Sequence, residues 1–197
     1  SQFRLLSERR FAPFFVTQFA GAFNDNLFKN ALLLLVTYNA GGLFGLSSSV
    51  VVNLAAMLFI LPFFLFSAIA GQIADRYEKS GIIRWVKLAE VAIMVVAAVG
   101  LWFGWHEMLL LLLFLMGVQS AFFGPVKYAI LPQALDNSEL VGGNALVEMG
   151  TFVAILLGTL VAGVMMKAPL PGPMIAIAVL VVAGLGLLSA LKIPKAE

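Results

Sequence analysis

Two short stretches place ionisable side chains inside apolar runs. In "AFNDNLFKN", residues 22–30, Asp25 and Lys29 stand i to i+4 with the acid first, the favourable order on a helix. Gln18 and Ala22 fall on the same helical face, because spacings of three and four recur on one side. In "NALVEMGT", residues 144–151, Asn144, Glu148 and Thr151 share a second polar face. A carboxylate and an ammonium at such a spacing suit a zwitterionic ligand, the cation near Asp25 and the anion near Lys29. The same pair can carry a proton, or can neutralise itself and let a polar face pack against other helices. Glu148 is expected to meet Lys127, either as a gate or as a static tie between helices. Lys87 and Glu90, i to i+3, read as an ion pair at a membrane interface, and His106 with Glu107 as a solvated turn.

The elements that carry these residues follow from composition. The chain of 197 residues is 62% hydrophobic and 11% charged, far below the charge content of a soluble domain. It reads as an all-α, multi-pass membrane protein. Cysteine is absent, which removes disulfides and thiolate metal sites, and the single His106 cannot assemble a histidine metal site. No metal or cofactor is expected. The pI near 9.0 does not point to nucleic acid, because the basic residues gather at alternate ends of apolar runs rather than among aromatics on one surface. The chain opens at Ser1 with no signal-peptide pattern, so it is expected to be an excerpt.

About 20 apolar residues cross a bilayer core as a helix. Six segments qualify, at 11–37, 50–71, 82–104, 108–131, 140–166 and 173–191. Short stretches such as "NAGGLFGLSSS", "GQIADRYEKSG", "WHE" and "PQALDNSE" are expected to be loops between them. Arg4, Arg9, Arg10, Arg76, Lys79, Arg84, Lys87, Lys127, Lys192 and Lys195 fall on one side of this arrangement, ten of the twelve Lys and Arg residues. That bias predicts that both termini are cytoplasmic. Six spans with both ends on one side also fit two three-helix units in inverted orientation. Asp25, fourteen residues past Phe11, then lies about 20 Å into the first span, near the membrane midplane. An ionisable group there is costly and faces protein or water rather than lipid. Gly158 and Gly163, with Ala162 beside them, are expected to let helices approach closely.

Gly71, Ile73, Asp75 and Arg76 in "GQIADRYEKSGIIR" match the loop between the second and third helices of the major facilitator superfamily; Glu78 stands where that pattern has glycine. In that loop the glycine admits a neighbouring helix and the aspartate favours a helix N-terminus. The resemblance implies the N-terminal six-helix half of the fold, with a C-terminal six-helix half as its partner. Three further stretches, "QFAGAFNDN", "FGPVKYAILP" and "NALVEMGTFVAILLG", together resemble the bacterial lysophospholipid transporter family over nearly the whole chain. That resemblance implies movement of lysophospholipid, chiefly the ethanolamine type, from outer to inner leaflet of the bacterial inner membrane for reacylation. It points to Asp25, Asn26, Pro125, Lys127, Tyr128, Asn144 and Glu148. Asp25 and Lys29 would hold the headgroup, with Gln18 beside them, and Gly71, Asp75 and Arg76 would latch the cytoplasmic side. Lys29 departs from the stand-alone transporters and is closer to fusion proteins that join such a transporter to acyltransferase and acyl-ligase domains.

Two other classes are consistent with parts of the sequence. A proton-coupled exporter of a drug or metabolite would use Asp25 or Glu148 as proton carrier. An anchor for a lipid acyltransferase would need none of the buried charges. Catalysis by this chain itself is not expected: "HEMLLL" offers His106 no Asp four residues on, and there is neither a cysteine nucleophile nor a glycine-rich nucleotide loop.

Overall fold

The computed structural model describes residues 1–38 and 43–195. The leading part of the first expected loop, residues 39–42, lies outside the described residues. Six long helices form where the apolar runs predict them: α1 (Ala12–Tyr38), α2 (Ser48–Arg76), α3 (Lys79–Phe103), α4 (His106–Ala129), α6 (Leu140–Met165) and α7 (Pro171–Leu191). A single helical turn, α5 (Leu131–Ala134), and a 3-10 turn (Asn137–Glu139) occupy the expected "PQALDNSE" loop. A further 3-10 turn (Gln2–Ser7) precedes α1.

Helix ends follow local chemistry. Glu78 caps α3, accepting from the backbone N–H groups of Ser80 (2.9 Å) and Gly81 (2.7 Å). The glycine-to-glutamate departure from the superfamily pattern thus supplies the N-cap that starts a helix. Two expectations change here. The stretch from Gly71 to Arg76 is helical, so the loop shrinks to Tyr77 and Glu78, and Asp75 lies exposed on the last turn of α2 instead of at a helix N-terminus. Gly104 ends α3 in the left-handed region (φ 73°), a conformation that glycine adopts without a Cβ clash.

Five helices are long and apolar enough to cross a membrane, among the described residues; α1, with Asn24, Asp25, Asn26, Lys29 and Asn30, is not one of them. Its 27 residues give it a comparable length, and it packs along α6 and α7. The most extensive interfaces join α2 to α4, α1 to α6 and α3 to α7, followed by α1 with α7 and α3 with α4. Exchanging α1, α2, α3 for α4, α6, α7 maps this set onto itself. The molecule is therefore two three-helix units related by approximate two-fold symmetry, and the odd number of helices per unit inverts the second. Each of the two equivalent crossings uses one glycine. A Cβ at Gly117 would lie 2.5 Å from the Phe59 carbonyl oxygen, and one at Gly158 would lie 2.6 Å from that of Phe23. Gly163 and Gly71 meet nothing within 4 Å, so close approach explains Gly158 but not these two.

Buried apolar side chains form two clusters, one around Leu27, Met94, Leu113 and Val179, the other around Phe14, Ile83, Val126 and Leu146. Along α1, α3 and α4 the intervals between the clusters hold Thr17, Gln18, Asn24, Lys87, Glu90 and Gln119. Among the described residues these are all of the buried polar side chains except Ser80. A polar layer is thus held between two apolar cores.

Candidate functional site: a polar cavity in the bundle

The polar layer opens into a cavity of about 330 Å³ bounded by α1, α2, α3, α4 and α6. From α1 come Gln18, Gly21, Ala22, Asp25 and Asn26, the face that the three- and four-residue spacing predicts. Lys29, one turn further on, is not on the cavity wall. Its ammonium lies 5.3 Å from the centroid of Phe59, and no ion pair joins it to Asp25. Asp25 is held from the facing helix instead: Ser120 donates to its Oδ2 at 2.6 Å, while Oδ1 is buried without a partner. The i to i+4 spacing permits a pair, but the hydroxyl of α4 reaches the carboxylate first.

Lys87 and Glu90 do pair, at 3.1 Å, yet not at an interface: each side chain is only 1% exposed. The helix starts at Lys79, so Lys87 lies about 12 Å along it, level with Gly21 on the neighbouring α1, which begins at the same end of the bundle. The Lys87 ammonium sits 4.5 Å from the Phe123 centroid and fills the space that a side chain at Gly21 would need. Glu90 Oε1 has no partner.

A second chain of contacts closes the cavity towards the basic end. Lys127 donates to Thr151 Oγ1 (2.8 Å), and that hydroxyl faces Gln18 Oε1 (3.0 Å) and the Val147 carbonyl (2.8 Å). The Lys127–Glu148 pair expected from sequence does not form; Tyr128 donates to Glu148 instead. Lys127 and Tyr128, adjacent on α4, diverge by about 100° around the helix, so both border the cavity but Lys127 reaches Thr151 and Tyr128 reaches Glu148. Asn144 donates back to the Leu140 carbonyl of its own helix, and neither it nor Glu148 nor Pro125 lines the cavity. Pro125 does remove the N–H that would bond the Ala121 carbonyl, which interrupts the helical ladder beside the cavity-lining Gly124.

Among the twelve residues singled out from sequence, Gln18, Asp25, Asn26, Lys127 and Tyr128 converge on the cavity. Gly71, Asp75 and Arg76 stand apart from it at the end of α2. Sequence reasoning missed Ser120, Gln119 and Lys87 as wall residues. Serine and glutamine in an apolar helix carry little signal, whereas Lys87 and Glu90 were visible as charges and misplaced in depth. Among the described residues no three His, Asp or Glu side chains gather as a metal site would require. The arrangement places the Asp25 carboxylate, one oxygen of which has no partner, and two ammonium groups around one small space between apolar cores. Chemically, such a space can accommodate a polar or charged group.

At the basic end, Arg10 grips Glu139 through two nitrogens at 2.5 Å each, and Glu8 at 2.6 Å. These carboxylates hold the guanidinium still more firmly protonated than usual. Arg84 donates to the Ile193 carbonyl (3.1 Å) just past α7. These ties gather the starts of α1, α3 and α6 and the end of α7 on one side.

The Lysophospholipid transporter LplT of Escherichia coli (strain SE11) is 33% identical over 150 residues, which cover 76% of this chain and 35% of that protein. The proteins of the same name from Escherichia coli O1:K1 / APEC and from Shigella boydii serotype 18 are each 31% identical over 150 residues, with the same coverage. The chain thus spans about a third of the length of these curated relatives. The sequence model of the Major Facilitator Superfamily matches residues 14–197, nearly the whole chain. With its helical architecture, its paired three-helix units and this match, the chain belongs to the Major Facilitator Superfamily.

Proposed function

We propose that this chain is the N-terminal half of a transporter that moves lysophospholipid, lysophosphatidylethanolamine above all, from the outer to the inner leaflet of a bacterial cytoplasmic membrane. The observation that carries the reading is Asp25: a carboxylate within a polar layer, with one oxygen held by Ser120 and the other unfilled, facing a cavity between two apolar cores. Such a group suits the ammonium of a headgroup, while an acyl chain remains in apolar surroundings. The names of the relatives favour the same substrate.

A second six-helix half would complete the cavity, and rocking of the halves would alternate its access. Asp75 and Arg76, exposed beside Gly71, are suited to latch that half; Lys127, Tyr128, Pro125 and Glu148 are suited to gate it from within. Both termini are assigned to the cytoplasm. Of the ten basic residues counted from sequence, Lys87 and Lys127 line the cavity, and the other eight still favour that orientation. Delivery to the inner leaflet would supply an acyltransferase, fused or separate.

The test is uptake of labelled lysophosphatidylethanolamine by spheroplasts lacking their own transporter and carrying the full reading frame, as wild type or Asp25→Asn. Uptake by the wild type, lost in an equally expressed Asp25→Asn variant, is the expected result. Uptake that is unchanged by Asp25→Asn refutes the headgroup role. Uptake of a soluble solute that collapses with a proton uncoupler, with none of the lipid, would favour a proton-coupled exporter.

A further inference from the structure

We infer that Lys87, held in place by Glu90, is the anion-binding residue of this cavity and takes the phosphate of a zwitterionic headgroup whose cation lies at Asp25. The inference rests on the lysophospholipid reading and adds a residue to it. Sequence spacing gives the anion to Lys29, but that ammonium lies over Phe59 and off the cavity wall. Lys87 is on the wall. An ammonium carries three N–H donors, and the structure engages one, with Glu90 Oε2 at 3.1 Å. The face of Phe123 attracts the charge without accepting a conventional hydrogen bond. Donors are therefore left for a ligand.

The surroundings are built around this ammonium. Gly21 leaves it room, since a Cβ there would come within 2.4 Å of Nζ. Glu90, as deeply buried as Lys87, keeps the charge balanced when no ligand is bound. Asp25 and Glu90 together oppose Lys87 and Lys127, so the four charges sum to zero. A neutral zwitterion preserves that balance and an anionic headgroup disturbs it. Lys127 also spends one of its three donors, on Thr151, but it stands seven residues, about 10 Å, along α4 from the Ser120 that holds Asp25, whereas Lys87 is level with Gly21, one turn from Asp25.

The experiment uses the purified full-length protein and lysophosphatidylethanolamine, with monoacylglycerol as the ligand lacking phosphate and ammonium. Lys87→Ala is expected to weaken binding of the phospholipid at least about tenfold, the loss of a charge-assisted hydrogen bond, and to leave the weak binding of monoacylglycerol unchanged. Lys29→Ala is expected to stay within about twofold of wild type by the same measure. The double variant Lys87→Met with Glu90→Gln removes both buried charges and is expected to fold. If the pair merely holds helices together, this variant binds the phospholipid normally and the inference falls. If it folds without binding, the inference stands, even should Lys87→Ala alone misfold. Loss of binding with Lys29→Ala but not with the double variant would return the role to Lys29. A wild type that binds no lysophospholipid would instead refute the substrate reading itself.

Discussion

Gly21 and Lys87 compete for one volume: a Cβ built on Gly21 would stand 2.4 Å from the Lys87 ammonium. Gly21→Ala must therefore displace the tip of Lys87 within its buried pair with Glu90. The expected result is a protein with a clearly lowered thermal midpoint in detergent. Adding Lys87→Met with Glu90→Gln to the same chain should recover most of that loss, because the competing group and its partner are gone. Non-additive recovery in this cycle is the measurement that checks it.

Gly117 and Gly158 face backbone, which cannot move aside as a side chain tip can. Gly117→Ala and Gly158→Ala are each expected to cost about 1–3 kcal/mol through overpacking at a helix crossing. Gly163→Ala meets open space and should be neutral in the same thermal assay.

Thr151 links Lys127 to Gln18 through one hydroxyl. Thr151→Val keeps the shape and deletes the link, leaving two polar groups without that partner. A loss of about 1–3 kcal/mol in stability is expected, with Thr151→Ser close to wild type. If Thr151→Val and Thr151→Ser behave alike, the hydroxyl is not the connecting element.

Arg10 binds Glu139 with two parallel N–H groups, a geometry that lysine cannot copy. Arg10→Lys and Arg10→Ala are both expected to loosen the first turn, residues 2–7, from α6. Faster cleavage near Ser7 by added protease, with cleavage elsewhere unchanged, would check this.

Much of the architecture is legible in the sequence because a helix crossing a membrane must satisfy its backbone internally and present apolar side chains outward. The apolar runs therefore mark all six long helices to within a few residues, and the five-residue extension of α2 arises where charged side chains do not interrupt a helix that is already formed. Asp25 is conspicuous for the same reason: a carboxylate in such a run has no place except a polar interior. The face it shares with Gln18 and Ala22 follows from helical periodicity alone.

Which partner each charge finds is a different matter. Spacing along one helix allows Asp25 with Lys29, but helix rotation and depth bring Ser120 to Asp25 and carry Lys29 to Phe59. Lys127 and Glu148 are likewise kept apart by the turn of α4, which gives Lys127 to Thr151 and Tyr128 to Glu148. Lys87 and Glu90 form the pair their spacing permits, yet their burial depends on α1 packing at the same depth with a glycine in the contact. The sequence by itself determined the helices and the one acid that must lie inside. Only the tertiary structure decided the polar layer, because distances between helices depend on packing that no single helix encodes.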